Sequence, residues 1–173
     1  MGPLTRRAVR GMEDRLGVDL PYLHHMAATR RTDLIRLGLF LAASAPRRGI
    51  PKRALHLAVL GATAEQDCGE CVQIAVNLAL ADGVPADLLL TALGRRDDAM
   101  DPTDADALAF GRAVTRSDAD ADRLREVLRA RYGDPGVQEL ALGVAFAQFF
   151  PVLKRGLGFA RSCSVVGVDV GPE

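Results

Sequence analysis

The segment PKRALHLAVLGATAE, Pro51 to Glu65, is apolar on nearly every side after Arg53. A helix without a polar face has no side to turn to water, so it belongs in the middle of a domain with other helices around it. Pro51 suits the first position of that helix, where its missing N–H costs nothing. The rest of the chain carries the same period. Leu4, Ala8, Met12 and Leu16 fall four residues apart, with Gly17 fit to close the helix. A short helical turn is expected after Pro21, and Thr32 is expected to cap DLIRLGLFLAASA, which Pro46 stops. Asp67, with Glu70 as its capping-box partner, is expected to start CGECVQIAVNLALAD, which runs to Gly83. Pro85 opens a short helix to about Leu93, and Thr103 caps DADALAFGRAVTRS after the polar excursion GRRDDAMDPT. DADADRLREVLRARYG closes at Gly133, and a last helix begins after Pro135 with a kink expected near Pro151. Alternation of β-branched residues is confined to the tail CSVVGVDVGPE. The expected fold is all-α, a bundle of about eight helices joined by short loops.

At 173 residues the chain has the length of one domain with a continuous core. Residues 1–20 read as an N-terminal helix, 21–162 as the core and 163–173 as a tail. Acidic and basic side chains balance at 22 each, and no basic cluster is interleaved with aromatics, which argues against nucleic acid as a partner. The longest apolar run, Glu139 to Leu153, is interrupted by Gln148 and Pro151 and falls short of the roughly 20 residues of a spanning helix. The first residues carry Glu13 and Asp14 where a secretory signal has an apolar stretch. These features lead to a cytoplasmic, non-membrane expectation, and in that compartment a Cys-x-x-Cys points to catalysis or metal binding. Only Lys52 and Lys154 are lysines among many arginines, which reads as base-composition bias without functional content.

Two of the three cysteines stand three residues apart in AEQDCGECVQIA. On a helix that spacing places both sulfurs on nearly one side, one turn apart, close enough for a reversible disulfide. Cys68 falls at a helix start, where unsatisfied N–H groups and the positive end of the helix dipole favour a thiolate. Gly69 leaves backbone uncovered beside the sulfurs, whereas Asp67 and Glu70 oppose ionisation of a thiol. A redox pair is favoured over two core cysteines at helical spacing. A zinc site would need about four ligands, and only His24, His25 and Cys163 are at hand to complete one. The thiols need a base. His56 interrupts the apolar run twelve residues before Cys68, and Glu65 lies three residues before it. A core histidine bonded to a carbonyl and a solvated carboxylate are the alternative roles of these two.

With His56, Cys68 and Cys71 on one scaffold, most of the chain resembles the carboxymuconolactone decarboxylase and AhpD-like alkylhydroperoxidase superfamily. The stretches that carry it are PYLHHMAATRRTDLIRLGLFL, PKRALHLAVLGATAEQDCGECVQIAVNLALADGVPADLL, TDADALAFGRAVTRS and VQELALGVAFAQFFPVLKRGLGFA. The resemblance implies that Cys71 attacks the peroxide and Cys68 resolves the product. It also implies an unidentified thiol electron donor, no bound organic cofactor, and a homo-oligomer, often a trimer or hexamer. Its substrates would be hydroperoxides or partner disulfides. The sequence departs from AhpD-like members where they carry a glutamate, here His56, and where a histidine follows the second cysteine by four residues, here Ala75. Glu70 stands where AhpD itself has a histidine. A relay would then run from His56 directly, supported by Glu65 or Glu70. A decarboxylase-type lyase, a non-enzymatic scaffold with a decayed relay, and a metal-binding module remain alternatives.

Overall fold

The computed structural model describes residues 2–43, 49–160 and 166–168. Among these the protein is all-α: α1 (Pro3–Leu16), α2 (Pro21–Thr29), α3 (Arg31–Ala43), α4 (Lys52–Ala64), α5 (Gly69–Ala81), α6 (Ala86–Leu93), α7 (Pro102–Arg116) and α8 (Asp120–Gly156), with one 3-10 turn at Asp97–Ala99. Gly17 ends α1 in the left-handed region, its N–H donating to the Glu13 carbonyl. The Glu13 side chain turns the corner into α2, accepting from the Leu20 N–H at 2.9 Å and contacting His24 Nε2 at 3.0 Å.

Four expected helix starts are corrected. Pro51 is the N-cap of α4 and not its first residue, its ψ of 132° being extended. α3 begins at Arg31, so Thr32 lies inside it. The cap of α7 is Asp101, whose carboxylate accepts from the Thr103 N–H at 2.8 Å; Pro102 occupies the first turn, and the start lies two residues earlier than a Thr103 cap requires. Helix α5 is capped by Cys68, not Asp67. The chain reverses between α4 and α5 through a turn that ends with Asp67 at φ 48°, a left-handed conformation that aspartate tolerates better than most residues but that an N-cap does not adopt. The stop expected at Pro46 and the tail from Cys163, apart from residues 166–168, lie outside the described residues.

The two expected C-terminal helices are both present in α8, separated as expected at Gly133, whose torsions are not helical (φ 69°, ψ 177°); Pro151, the expected site of a kink, keeps helical torsions. The apolar run expected to be too short for a membrane span is thus part of a longer helix. By length and composition, one window of α8 is long and apolar enough to cross a membrane. In the fold, Val137, Leu140 and Val144 of α8 are buried in one cluster with Ala58, Ala62 and Phe110.

As its sequence demands, α4 is central. Leu57 and Leu60 are buried with Val72, Val76 and Leu89 of α5 and α6. The opposite side of α4 meets α7 and α8 through Ala58 and Ala62. Its crossing with α7 is made of glycine. A Cβ on Gly111 would overlap the Ala58 carbonyl oxygen and come within 2.9 Å of the Ala62 nitrogen, and one on Gly61 would overlap the Leu108 carbonyl oxygen. Arg53 and Asp104 clamp the two helices near their N-terminal ends, Nε donating to Oδ1 at 2.9 Å.

Candidate functional site

Helices α4 and α5 form an antiparallel hairpin, and its reversal exposes the start of α5 to α8. Cys68 and Cys71 are joined by a disulfide, with Cα atoms 5.3 Å apart. The Cys68 carbonyl accepts from the N–H groups of Cys71 and Val72 at 2.9 and 3.0 Å, so the first helical turn closes directly on the pair. Cys68 is the cap residue of α5, and in the disulfide its side chain makes no hydrogen bond to the N–H groups of the first turn. After reduction those N–H groups and the helix dipole act on whichever sulfur carries charge.

Both cysteines are buried, Cys68 at 2% and Cys71 at 6% exposure. They differ in what they border. Cys71 lines a partly open cavity of about 690 Å³ bordered by α1, α2, α3, α4, α5 and α8, whereas Cys68 does not. The walls are mostly apolar, with Leu16, Leu41, Val59, Leu142 and Phe146 among them. The polar side chains at the wall include His56, Tyr22, Glu139 and Lys154. That volume suits a small organic molecule of modest size.

His56 and Cys71 thus share one cavity, but they do not touch through the ring nitrogen expected to act as base. His56 Nε2 is 2.8 Å from Asp82 Oδ2, and since a carboxylate only accepts, Nε2 is the donor of this bond, which in the neutral ring leaves the lone pair on Nδ1. Asp82 caps the far end of α5, eleven residues beyond Cys71 and roughly 16 Å along the axis. The imidazole and the sulfur therefore lie at different points of the cavity wall, which Ala75 also lines. Asp82 also accepts from Lys52 at 2.5 Å. Hydrogen bonding from Lys52, then from His56, holds its carboxyl below the ordinary carboxylate range.

The two glutamates have other partners. Glu65 accepts from Arg95 at 3.3 Å and from Arg116 at 2.6 Å, which anchors the end of α4 to the segment after α6 and to α7. It is absent from the cavity wall. Glu70 does not reach back to complete a capping box; its carboxylate accepts from the ammonium of Lys154 on α8. Arg155, the next residue, donates to the Gln66 carbonyl at 2.8 Å, so α8 holds the reversal between α4 and α5 at two points. The Lys154 ammonium also stands 5.6 Å from the centre of the Tyr22 ring.

Asp82, Lys154 and Tyr22 are the residues that sequence reasoning missed. For Lys154 a signal existed. The only two lysines of the chain contact the acidic groups at the two ends of α5, Lys52 at Asp82 and Lys154 at Glu70. Burial, and secondarily the charge of Glu70, push the Tyr22 hydroxyl up to about 12. A folded-state pKa above the unfolded value of about 10 means stability that is whole below pH 10 and is lost as pH rises toward 12. Urea unfolding of the oxidised protein should therefore lose about 2 kcal/mol between pH 9 and 11.5 from this group. Tyr22→Phe should remove that increment; an identical pH dependence in the variant would refute it.

His24 is engaged by Glu13, and the His25 ring lies 5.4 Å from that of Phe159. Among the described residues no group of three or more His, Cys, Asp or Glu side chains is arranged to hold a metal ion. Comparison with protein-family models, with curated proteins and with solved structures finds no match.

Proposed function

We propose that the protein is an AhpD-like, thiol-dependent oxidoreductase of the cytoplasm that cycles Cys68 and Cys71 between dithiol and disulfide while reducing a small organic hydroperoxide. The observation that carries this reading is the asymmetry of the pair: of two bonded cysteines, only Cys71 opens on an apolar cavity. The Cys71 thiolate attacks the terminal peroxide oxygen, the O–O bond breaks, and the alkoxide leaves as an alcohol after taking a proton. Cys71 is then a sulfenic acid. The Cys68 thiolate attacks its sulfur and expels hydroxide, which leaves as water, forming the disulfide. Two electrons have passed from the dithiol to the peroxide, and an external thiol donor returns them.

A partner disulfide is the weaker substrate, because both sulfurs are buried and a protein disulfide needs one within reach. In this reading the Asp82–His56 pair takes the place of the family's relay, with Asp82 orienting the ring and Nδ1 exchanging protons through water or the peroxide in the cavity. Exposed Ile35 and Leu39 on α3 and Val152 on α8 support a homo-oligomer. The burial of both cysteines equally suits a second reading, a non-enzymatic scaffold whose thiols no longer react.

One experiment separates the two. Reduced protein treated with stoichiometric cumene hydroperoxide should lose two thiols per chain, and the rate should rise with pH through one ionisation. His56→Ala should slow the reaction about tenfold to a hundredfold near neutral pH and flatten that profile. Unchanged thiol content in the wild type would favour the scaffold. An unchanged profile in His56→Ala would remove the histidine from the mechanism.

A further inference from the structure

Among the described residues Lys154 is the most deeply buried charged side chain, at 1% exposure. Burying an ammonium costs several kcal/mol unless a partner compensates, and an apolar residue of similar length would fill the same space without that cost. Its carboxylate partner, Glu70, is itself partly exposed and immediately precedes Cys71. The ammonium is thus bonded to the residue that precedes the cavity-facing cysteine, and Lys154 and Cys71 line the same cavity. In the disulfide state the charges of Lys154 and Glu70 cancel. On reduction a second anion can form beside them, and the cation then stands near two negative groups.

We propose that Lys154 is the charge-setting residue of the thiol pair: its buried ammonium, held by Glu70, stabilises the Cys71 thiolate and biases the pair toward the dithiol. This rests on the redox reading of the cysteines. It also accounts for Glu70, whose charge alone would oppose ionisation of its neighbour. Cancelled by Lys154, that charge serves instead to position the cation. The other titratable groups facing this space are Tyr22 from α2, His56 from α4 and Glu139 from α8, while α1 and α3 contribute apolar side chains such as Met12 and Leu37. Of these Lys154 carries the one ammonium group, and it is held against a carboxylate.

The test is the pH dependence of iodoacetamide alkylation at Cys71 in full-length Cys68→Ser protein, read by peptide mass so that Cys163 does not interfere. Lys154→Met should raise the midpoint by about one pH unit, and Lys154→Arg should keep most of the wild-type value. Glu70→Gln should move the midpoint the other way. In the two-cysteine protein, equilibration with glutathione above the thiol pKa should show Lys154→Met shifted about tenfold toward the disulfide. Midpoints that stay at the wild-type value, or that move the same way in Lys154→Met and Glu70→Gln, would overturn the proposal; the second pattern would mark a purely structural lysine. Glu70→Gln keeps the test decisive if Lys154→Met does not fold. Failure of the peroxidase reading appears separately, as wild-type thiols that survive the hydroperoxide whatever their midpoint.

Discussion

Cys71→Ser should reduce hydroperoxide consumption to the uncatalysed level, whereas Cys68→Ser should still react once and stop. The difference follows from the cavity. A peroxide held among Leu16, Val59 and Phe146 meets the side chain of Cys71 and not that of Cys68, which lies off the cavity wall. Without Cys71 no sulfur faces the peroxide oxygen, and a serine hydroxyl, far from ionised at neutral pH, cannot replace a thiolate. Without Cys68 the attack proceeds, but the sulfenic acid has no neighbour to displace its hydroxyl. Dimedone followed by mass spectrometry should find the trapped adduct on Cys71 in Cys68→Ser and no adduct on Cys68 in Cys71→Ser. An adduct on Cys68 would reverse the roles assigned to the two residues. It would favour the simpler expectation from the helix terminus, under which the N-terminal thiol of the pair is the more acidic and the more reactive.

The largest effect on stability is expected at Gly111. Glycine inside an exposed helix normally destabilises, and replacing it by alanine gains roughly 0.5–1 kcal/mol. At Gly111 the sign should reverse, because the new methyl group would occupy the space of the Ala58 carbonyl and its neighbours on α4. Those are backbone atoms in the middle of the central helix, with no side-chain rotamer to relieve the overlap, so α4 and α7 must separate along the most extensive helix contact of the fold. The cost should be about 3 kcal/mol or more, the upper part of the range for overpacked cores. That corresponds to a fall in Tm of roughly 6–12 °C for a chain of this size. Gly11→Ala on α1, where a Cβ meets nothing within 4 Å, is the matched control and should stabilise slightly. Equal Tm values for the two variants would mean that the α4–α7 crossing is looser than described. Because α4 carries His56, thiol reactivity of Gly111→Ala should fall together with its stability.

Much of the fold was legible in the sequence because helices announce themselves through local chemistry. A helix runs from Pro21, and Gly17 closes α1, as their positions suggested. The all-round apolarity of α4 foretold its central place. Two errors at helix starts have a common cause. At both Asp67 and Thr103 a residue with capping propensity stood near the true start, and the neighbouring backbone decided otherwise: the left-handed turn at Asp67 passed the cap to Cys68, and Pro102 passed it to Asp101. Propensity ranks residues for a cap but does not state the torsions of the chain that delivers them.

The site was legible in part. Cys68 and Cys71 could be paired because three residues on a helix is a fixed distance. His56 could be placed near the hairpin but not aimed, since its ring orientation depends on Asp82, which lies twenty-six residues away. Glu65 and Glu70 were recognisable as carboxylates near the thiols. Which cation would claim each one depended on Arg95, Arg116 and Lys154 arriving from other helices. Taken alone, then, the sequence determined the helices, the centrality of α4 and the proximity of two sulfurs, because these follow from covalent spacing and local burial. Tertiary structure decided which sulfur borders the cavity, which carboxylates are neutralised and where the imidazole points. Charges and cavities are set by groups brought together from distant parts of the chain, and no local pattern encodes their meeting.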